Sequence, residues 1–163
     1  MATSSGPASQ QARDLSSVEV KRTNRLARPD IIRSVLGGFL GTVAMTMMMY
    51  FLAPKMLGHP MDIAKMLGSM LGGNWWAGMA MHFINGTLIF PLIYAYFLYR
   101  VLPGGPAVKG TVWGVVLWLL AQVVVMPLIG AGFFSGSTMA AMSSCIGHVV
   151  YGGLLGWVAG SPK

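Results

Sequence analysis

The sequence predicts an all-α membrane protein built as a four-transmembrane-helix bundle. Of its 163 residues, 55% are hydrophobic and only 9% are charged, whereas soluble domains carry about 25% charged residues. Four apolar segments, at about 34–53, 76–99, 108–129 and 139–159, reach the length of roughly 20 residues that a span requires. Because a bilayer offers the backbone no hydrogen-bond partners, these segments must be helical.

The first 33 residues differ from the rest in composition. They are rich in Ser, Gln and Ala, then basic, and contain no apolar run. This pattern predicts a disordered cytoplasmic tail (1–33) with a basic segment at the membrane surface, followed by the transmembrane domain (34–160). The net charge of +7 does not indicate nucleic-acid binding, because the basic residues lack a nucleic-acid-binding motif or interleaved aromatic residues.

Basic residues near the span ends predict the orientation, since cytoplasmic loops are enriched in Lys and Arg. On one side only Lys55 and Lys65 are found. We therefore expect both termini to be cytoplasmic in a multi-pass protein of the bacterial inner membrane. The basic residues on the opposite, cytoplasmic side are Arg13, Lys21, Arg22, Arg25, Arg28, Arg33, Arg100, Lys109 and Lys163.

The loop between the first two spans contains the segment HPMDIAKMLGSML (59–71). Its apolar residues recur at helical spacing, with Lys65 and Ser69 off that face, which predicts a short amphipathic helix at the membrane interface. Asp62 is expected to cap this helix rather than to admit protons or cations. The apolar residues are Ile63, Met66, Leu67, Met70 and Leu71.

Two short patterns recur and predict an internal duplication of a helical hairpin. The tripeptide GTV occurs at 41–43 and at 110–112. A histidine followed four residues later by glycine occurs in the second and the fourth predicted span, as His82 with Gly86 and as His148 with Gly152. Two-span copies would share one orientation in the membrane.

The inventory of chemical groups argues against an enzyme acting by itself. Of the four acidic residues, three lie in the tail and only Asp62 lies elsewhere, so paired carboxylates for acid–base chemistry are absent. Metalloprotease, P-loop and dinucleotide-binding motifs are also absent from the sequence.

The two histidines within spans are the main candidates for function. His82 and His148 are expected at a similar depth, with Gly86 and Gly152 one turn further along the same helix faces. Two imidazoles can ligate the iron of a b-type haem, and the glycines would make room for the ring. This hypothesis predicts an accessory or electron-transfer subunit of a respiratory or other energy-converting membrane complex.

Two alternatives remain open. A soft copper site would make the protein a transporter or a copper-handling protein. Alternatively, the histidines bond to Asn85, Tyr151, Gln122 or each other in a structural subunit without a cofactor. Beyond the lipid bilayer, a larger membrane complex or a homo-oligomer is the expected partner. The copper ligands would be Met79, His82, Met142, Cys145 and His148.

The chain resembles a family of small, uncharacterised bacterial four-span membrane proteins. The segments that carry the resemblance are GTVAMT, HPMDIAKMLG, HFINGTLIF and HVVYGGLLG, and it covers roughly residues 35–160. The resemblance implies the fold and the membrane location, and it implies no activity.

Overall fold

The computed structural model describes residues 7–26 and 29–161, and within these ranges it contains helices and no strand. Four helices are long and apolar enough to cross a membrane. The predicted spans agree with them to within a few residues, so the predicted fold class is confirmed and the chain is an integral membrane protein. The helices are α1 (Pro7–Leu26), α2 (Ile31–Leu57), α3 (Ile63–Gly68), α4 (Trp75–Leu98), α5 (Pro106–Leu128) and α6 (Thr138–Ala159).

The membrane helices begin at residues suited to that position. Asp30 accepts a hydrogen bond from the Arg33 N–H at 3.0 Å and caps α2. Asn74 and Ser137 cap α4 and α6 in the same way. Helix α5 begins with Pro106, whose missing N–H costs nothing in the first turn. These caps satisfy N–H groups that a helix leaves without internal partners.

Three membrane helices contain a π-helical turn that ends two residues before a proline. A proline inside a helix donates no hydrogen bond, and its ring clashes with the carbonyl four residues earlier. The helix widens there, which is how such a clash is commonly relieved. The pairs are Met48–Leu52 with Pro54, Asn85–Ile89 with Pro91, and Ala121–Val125 with Pro127.

The spans pack in the order α4, α2, α6, α5, with α6 closely packed against both α2 and α5. We call the side where α2 begins and α6 ends the termini side, and the opposite side the α3 side. Helices α4 and α5 meet towards the termini side, where Tyr94 donates a hydrogen bond to the Pro106 carbonyl at 3.1 Å. Nearby, the Phe90 and Trp113 ring centroids are 6.3 Å apart. Towards the α3 side, α4 and α5 leave a gap.

Helix α3 confirms the predicted amphipathic helix and continues as a 3₁₀ turn over Ser69–Leu71. The Asp62 carboxylate accepts from the Lys65 N–H at 2.9 Å, as a helix cap does. Helix α3 packs against the first half of α4, where the backbones touch at Gly68 and Gly78. The loop helix is thereby fixed to the bundle.

Part of the predicted disordered tail is helical. Residues 1–6 and 27–28, as well as Lys163 at the other end, lie outside the described residues. Helix α1 occupies Pro7–Leu26, and its side chains from Pro7 to Val18 are exposed. The Ala, Gln, Arg and Leu residues of this segment have good helix propensity, which the disorder expectation underweighted.

Candidate functional site

A cavity of about 160 Å³ occupies the gap between α4 and α5. Helices α2 and α6 line the cavity towards the interior of the bundle, and α3 covers its end on the α3 side. The lining residues of α2 and α6 include Thr42, Met45, His148 and Tyr151. Nearly all of its surface is apolar. Ala121, which lines the cavity on α5, lies in the π-helical turn of that helix.

The cavity reaches the outer surface of the bundle. Two of its lining residues, Met70 in the 3₁₀ turn after α3 and Leu120 on α5, are 44% and 48% exposed. Leu120 lies on a membrane-spanning helix, so its exposed part faces lipid. The cavity is therefore accessible from the bilayer.

His82 is buried on α4, with 8% of its surface exposed, and lines the cavity. Its Nε2 lies 3.0 Å from Thr46 Oγ1, which in turn lies 2.7 Å from the Thr42 carbonyl oxygen. Because a carbonyl oxygen only accepts, the Thr46 hydroxyl donates its proton to the Thr42 carbonyl. Nε2 of His82 therefore donates to Thr46, and Nδ1 of the neutral ring carries no proton.

His148 on α6 also lines the cavity, with the opposite arrangement of its ring nitrogens. Its Nδ1 lies 2.9 Å from the Ser144 carbonyl oxygen and must donate to it. Nε2 of the neutral ring is then the nitrogen without a proton. The Ser144 hydroxyl accepts from Gln122 Nε2 at 3.4 Å, and Ser135 donates to Gln122 Oε1 at 2.8 Å. A polar chain thus connects the loop before α6 to the Ser144 turn below His148.

The surroundings of both imidazoles favour the neutral ring. The residues that line the cavity include no Asp, Glu, Lys or Arg. An imidazolium without a nearby carboxylate would be costly in such an apolar space. Each ring therefore has one nitrogen that carries no proton and has a free lone pair, which we call the bare nitrogen.

The structure brings His82 and His148 to one cavity, which Gly86 also lines, whereas Gly152 does not line it. A Cβ on Gly86 would overlap Thr42 Oγ1, and a Cβ on Gly152 would overlap the Gly110 carbonyl. Both glycines therefore allow helices to approach closely. Drug-sized ligands occupy pockets of roughly 300–1,000 Å³. The cavity of about 160 Å³ lies below this range, and a haem would require a larger one.

Of the five residues of the predicted copper site, only His82 and His148 line this cavity. Met79, Met142 and Cys145 do not line the cavity, and Met142 is 51% exposed. Among the residues that the structure describes, no three of His, Cys, Asp and Glu lie close enough to hold a metal ion. Cys145 is a free, half-buried cysteine.

Sequence reasoning missed several residues of the site. Thr46 and Ser144 fix the two imidazoles, and four methionines line the cavity. Ser144 precedes His148 by four residues, so it could have been found as a partner on the same helix. Thr46 is 36 residues from His82 and could not be found without the helix packing. The methionines are Met45, Met70, Met81 and Met126.

A family model described as "Family of unknown function (DUF6789)" matches residues 29–162. The chain belongs to this family. The DUF6789 match covers all four spans, α3 and the whole cavity, and it excludes most of the tail. No curated protein and no solved structure gives a significant match to the chain.

Proposed function

We propose that this membrane protein binds a small lipid-soluble molecule, with one aromatic ring or a group of that size, in the cavity between α4 and α5. The observation that carries the proposal is the apolar cavity of about 160 Å³ that opens towards lipid and contains two imidazoles. A ligand would enter from the bilayer past Met70 and Leu120.

The volume sets the size of the ligand. An apolar protein cavity of about 150 Å³ stays dry and binds benzene. The cavity here is of the same size, so a single six-membered ring fits. A chain attached to that ring would extend into the bilayer through the open side.

Such a cavity is compatible with a role in electron transfer in which the carrier is a bound quinone and not a haem. Lipid-soluble quinones have a head group of one ring and a long apolar chain. A subunit that holds such a carrier would serve a respiratory or other energy-converting complex without carrying haem. The protein would supply the apolar walls and the imidazoles, and the redox chemistry would be that of the carrier.

The proposal is tested by ¹⁹F NMR titration of 4-fluorotoluene into the purified protein in lipid nanodiscs. We expect saturable line broadening that Ala121→Phe and Val125→Phe each abolish, because both residues line the cavity and the larger ring fills it. The control is Ala107→Phe, since Ala107 is exposed near the start of α5 and does not line the cavity.

All variants must retain the circular dichroism and the size-exclusion profile of the wild type. Broadening that does not saturate, or that persists equally in both cavity-filling variants, would show that ligands partition into lipid rather than bind the cavity. Either result overturns the proposal.

A second candidate function is the handling of Cu(I), favoured by the four methionines and two histidines that line one cavity. Thioethers and imidazoles are suitable ligands for this soft ion. Competition with bicinchoninate for Cu(I) tests it. In this case Met45→Leu and Met126→Leu would lower copper affinity.

A further inference from the structure

We infer that the molecule in the cavity carries a hydroxyl group that donates a hydrogen bond to His148 or His82, so that the protein selects phenols and hydroquinones over the corresponding ethers and quinones. This inference rests on the proposed function and adds the chemical class of the ligand. The selectivity depends on which polar groups of the cavity still have a proton to donate.

The hydroxyl groups of the lining residues already donate within the protein. Tyr151 donates to the Gly86 carbonyl at 2.8 Å. Thr42 donates to the Gly38 carbonyl at 2.7 Å. A ligand carbonyl or ether oxygen, which only accepts, therefore finds no hydroxyl donor here.

The N–H groups of both imidazoles are also committed. Nδ1 of His148 donates to the Ser144 carbonyl, and Nε2 of His82 donates to Thr46. The other two nitrogens, His148 Nε2 and His82 Nδ1, make no hydrogen bond within the described residues. Each accepts a hydrogen bond from a ligand O–H and offers nothing to an ether.

Asn85 is the one lining side chain whose amide retains both a donor and an acceptor. It tolerates either type of ligand and does not select between them. The selection therefore comes from the two bare nitrogens, in a surface that is otherwise apolar. A ligand O–H left without a partner in such a cavity would be costly, and one bonded to a bare imidazole nitrogen is not.

The experiment compares 4-fluorophenol with 4-fluoroanisole, which differ by replacement of the hydroxyl proton by a methyl group. Their affinities are measured by ¹⁹F NMR in nanodiscs of the wild type and of His148→Leu and His82→Leu. For each protein, the affinity for 4-fluorophenol is divided by the affinity for 4-fluoroanisole. The ratio of the wild type is then divided by the ratio of each variant, and in this quotient the different partition of the two probes into lipid cancels. We expect the quotient to be about tenfold for at least one histidine, the effect of one hydrogen bond in a buried site.

The outcomes separate this inference from the proposed function. If both probes and 4-fluorotoluene bind saturably but the quotient is one for both histidines, the cavity binds rings and the inference is wrong. If none of the three probes binds saturably, the proposed function fails. A preference for the anisole that depends on either histidine would also overturn the inference, because it would mean that an imidazole N–H faces the cavity.

Thr46 is a positioning residue in this scheme, since it acts on the ligand only through His82. Thr46→Val keeps the shape and removes the acceptor of the His82 N–H. We expect this variant to reduce the selectivity for the phenol while 4-fluorotoluene binds as before. The matched control is Thr87→Val, because Thr87 Oγ1 is buried without a hydrogen-bond partner.

¹⁵N NMR of histidine-labelled protein provides a readout that does not depend on ligands. The structure assigns a protonated Nδ1 to His148 and a protonated Nε2 to His82, and Thr46→Val should affect only the latter. The opposite assignment in the wild type would remove the basis of the inference.

Discussion

At the scale of single residues, Asp62 makes the most connections in the loop region. Its carboxylate accepts hydrogen bonds from the Lys65 N–H at 2.9 Å, the Tyr50 hydroxyl at 2.7 Å and the Trp75 indole at 3.0 Å. These donors belong to α3, α2 and α4, so one side chain connects three helices. Burial alone would raise the pKa of Asp62, but these hydrogen bonds hold it below its ordinary value of 3.8.

Replacement of this carboxylate should destabilise the loop region. We expect Asp62→Ala to lower the free energy of unfolding by about 1–2 kcal/mol, the cost of losing a helix cap together with its neighbouring bonds. Because the pKa of Asp62 is lower in the folded than in the unfolded chain, its contribution is complete at neutral pH and is lost as the pH falls through the folded-state pKa, below 3.8.

Thermal unfolding in detergent at pH 7 and at pH 3, followed by tryptophan fluorescence, measures both effects. The control is Asp14→Ala, because Asp14 is exposed on α1. Equal melting temperatures for Asp62→Ala and the wild type at pH 7 would contradict the assignment.

The residues of the site show how far sequence reasoning extends. A histidine within a span is conspicuous, because polar residues are rare there and face the bundle interior. His82 and His148 were identified from the sequence for that reason. The role of Gly86 and Gly152 was not predictable, because a bare helix face serves helix packing as well as ligand clearance and only the position of the neighbouring helix distinguishes them.

At the scale of helices, α3 is held against α4 by a contact between two glycines. A Cβ on Gly78 would overlap the Ala64 carbonyl and would come within 3 Å of the Gly68 backbone. Since Ile63 and Leu67 of α3 and Met70 of the following 3₁₀ turn cover the cavity, this contact determines how the cavity is closed on the α3 side.

A methyl group at this contact should displace α3. We expect Gly78→Ala to cost about 1–3 kcal/mol, as overpacking in a close contact usually does, and to increase hydrogen exchange in Ile63–Gly68. The matched control is Gly153→Ala, because a Cβ there would meet only Thr111 Oγ1 at an ordinary 3.4 Å. Similar exchange in both variants would show that the α3 contact tolerates a side chain.

The helices themselves were predictable from the sequence to within a few residues. Length and hydropathy determine where a span can lie, and caps such as Asn74 and Ser137 determine where it begins. The packing order was not predictable, because all four spans are apolar around most of their circumference. The order follows from glycine contacts between helices, such as Gly110 with Gly152 and Gly156.

At the scale of the whole molecule, four spans place both ends of the transmembrane domain on one side of the membrane. The excess of Lys and Arg on that side predicts that it is cytoplasmic. The cavity would then lie in the half of the bilayer away from the cytoplasm, under α3.

Cysteine labelling tests this orientation. In a Cys145→Ser background, we expect Ser69→Cys to react with a membrane-impermeant maleimide in intact cells or spheroplasts. Ser16→Cys should react only after lysis. Both serines are exposed, so differences in burial do not account for a difference in labelling. The reverse pattern would place the termini outside.

The proline-linked π turns have a consequence for comparing members of this family. A π turn accommodates one more residue than an α turn, and one residue corresponds to about 100° of rotation. A helical wheel drawn through Asn85–Ile89 as a regular α-helix would therefore rotate the residues after this turn by about 100° from their true positions around the helix axis. A relative that lacks the proline should align here only with a one-residue gap inside the span, a gap that would otherwise be mistaken for an alignment error.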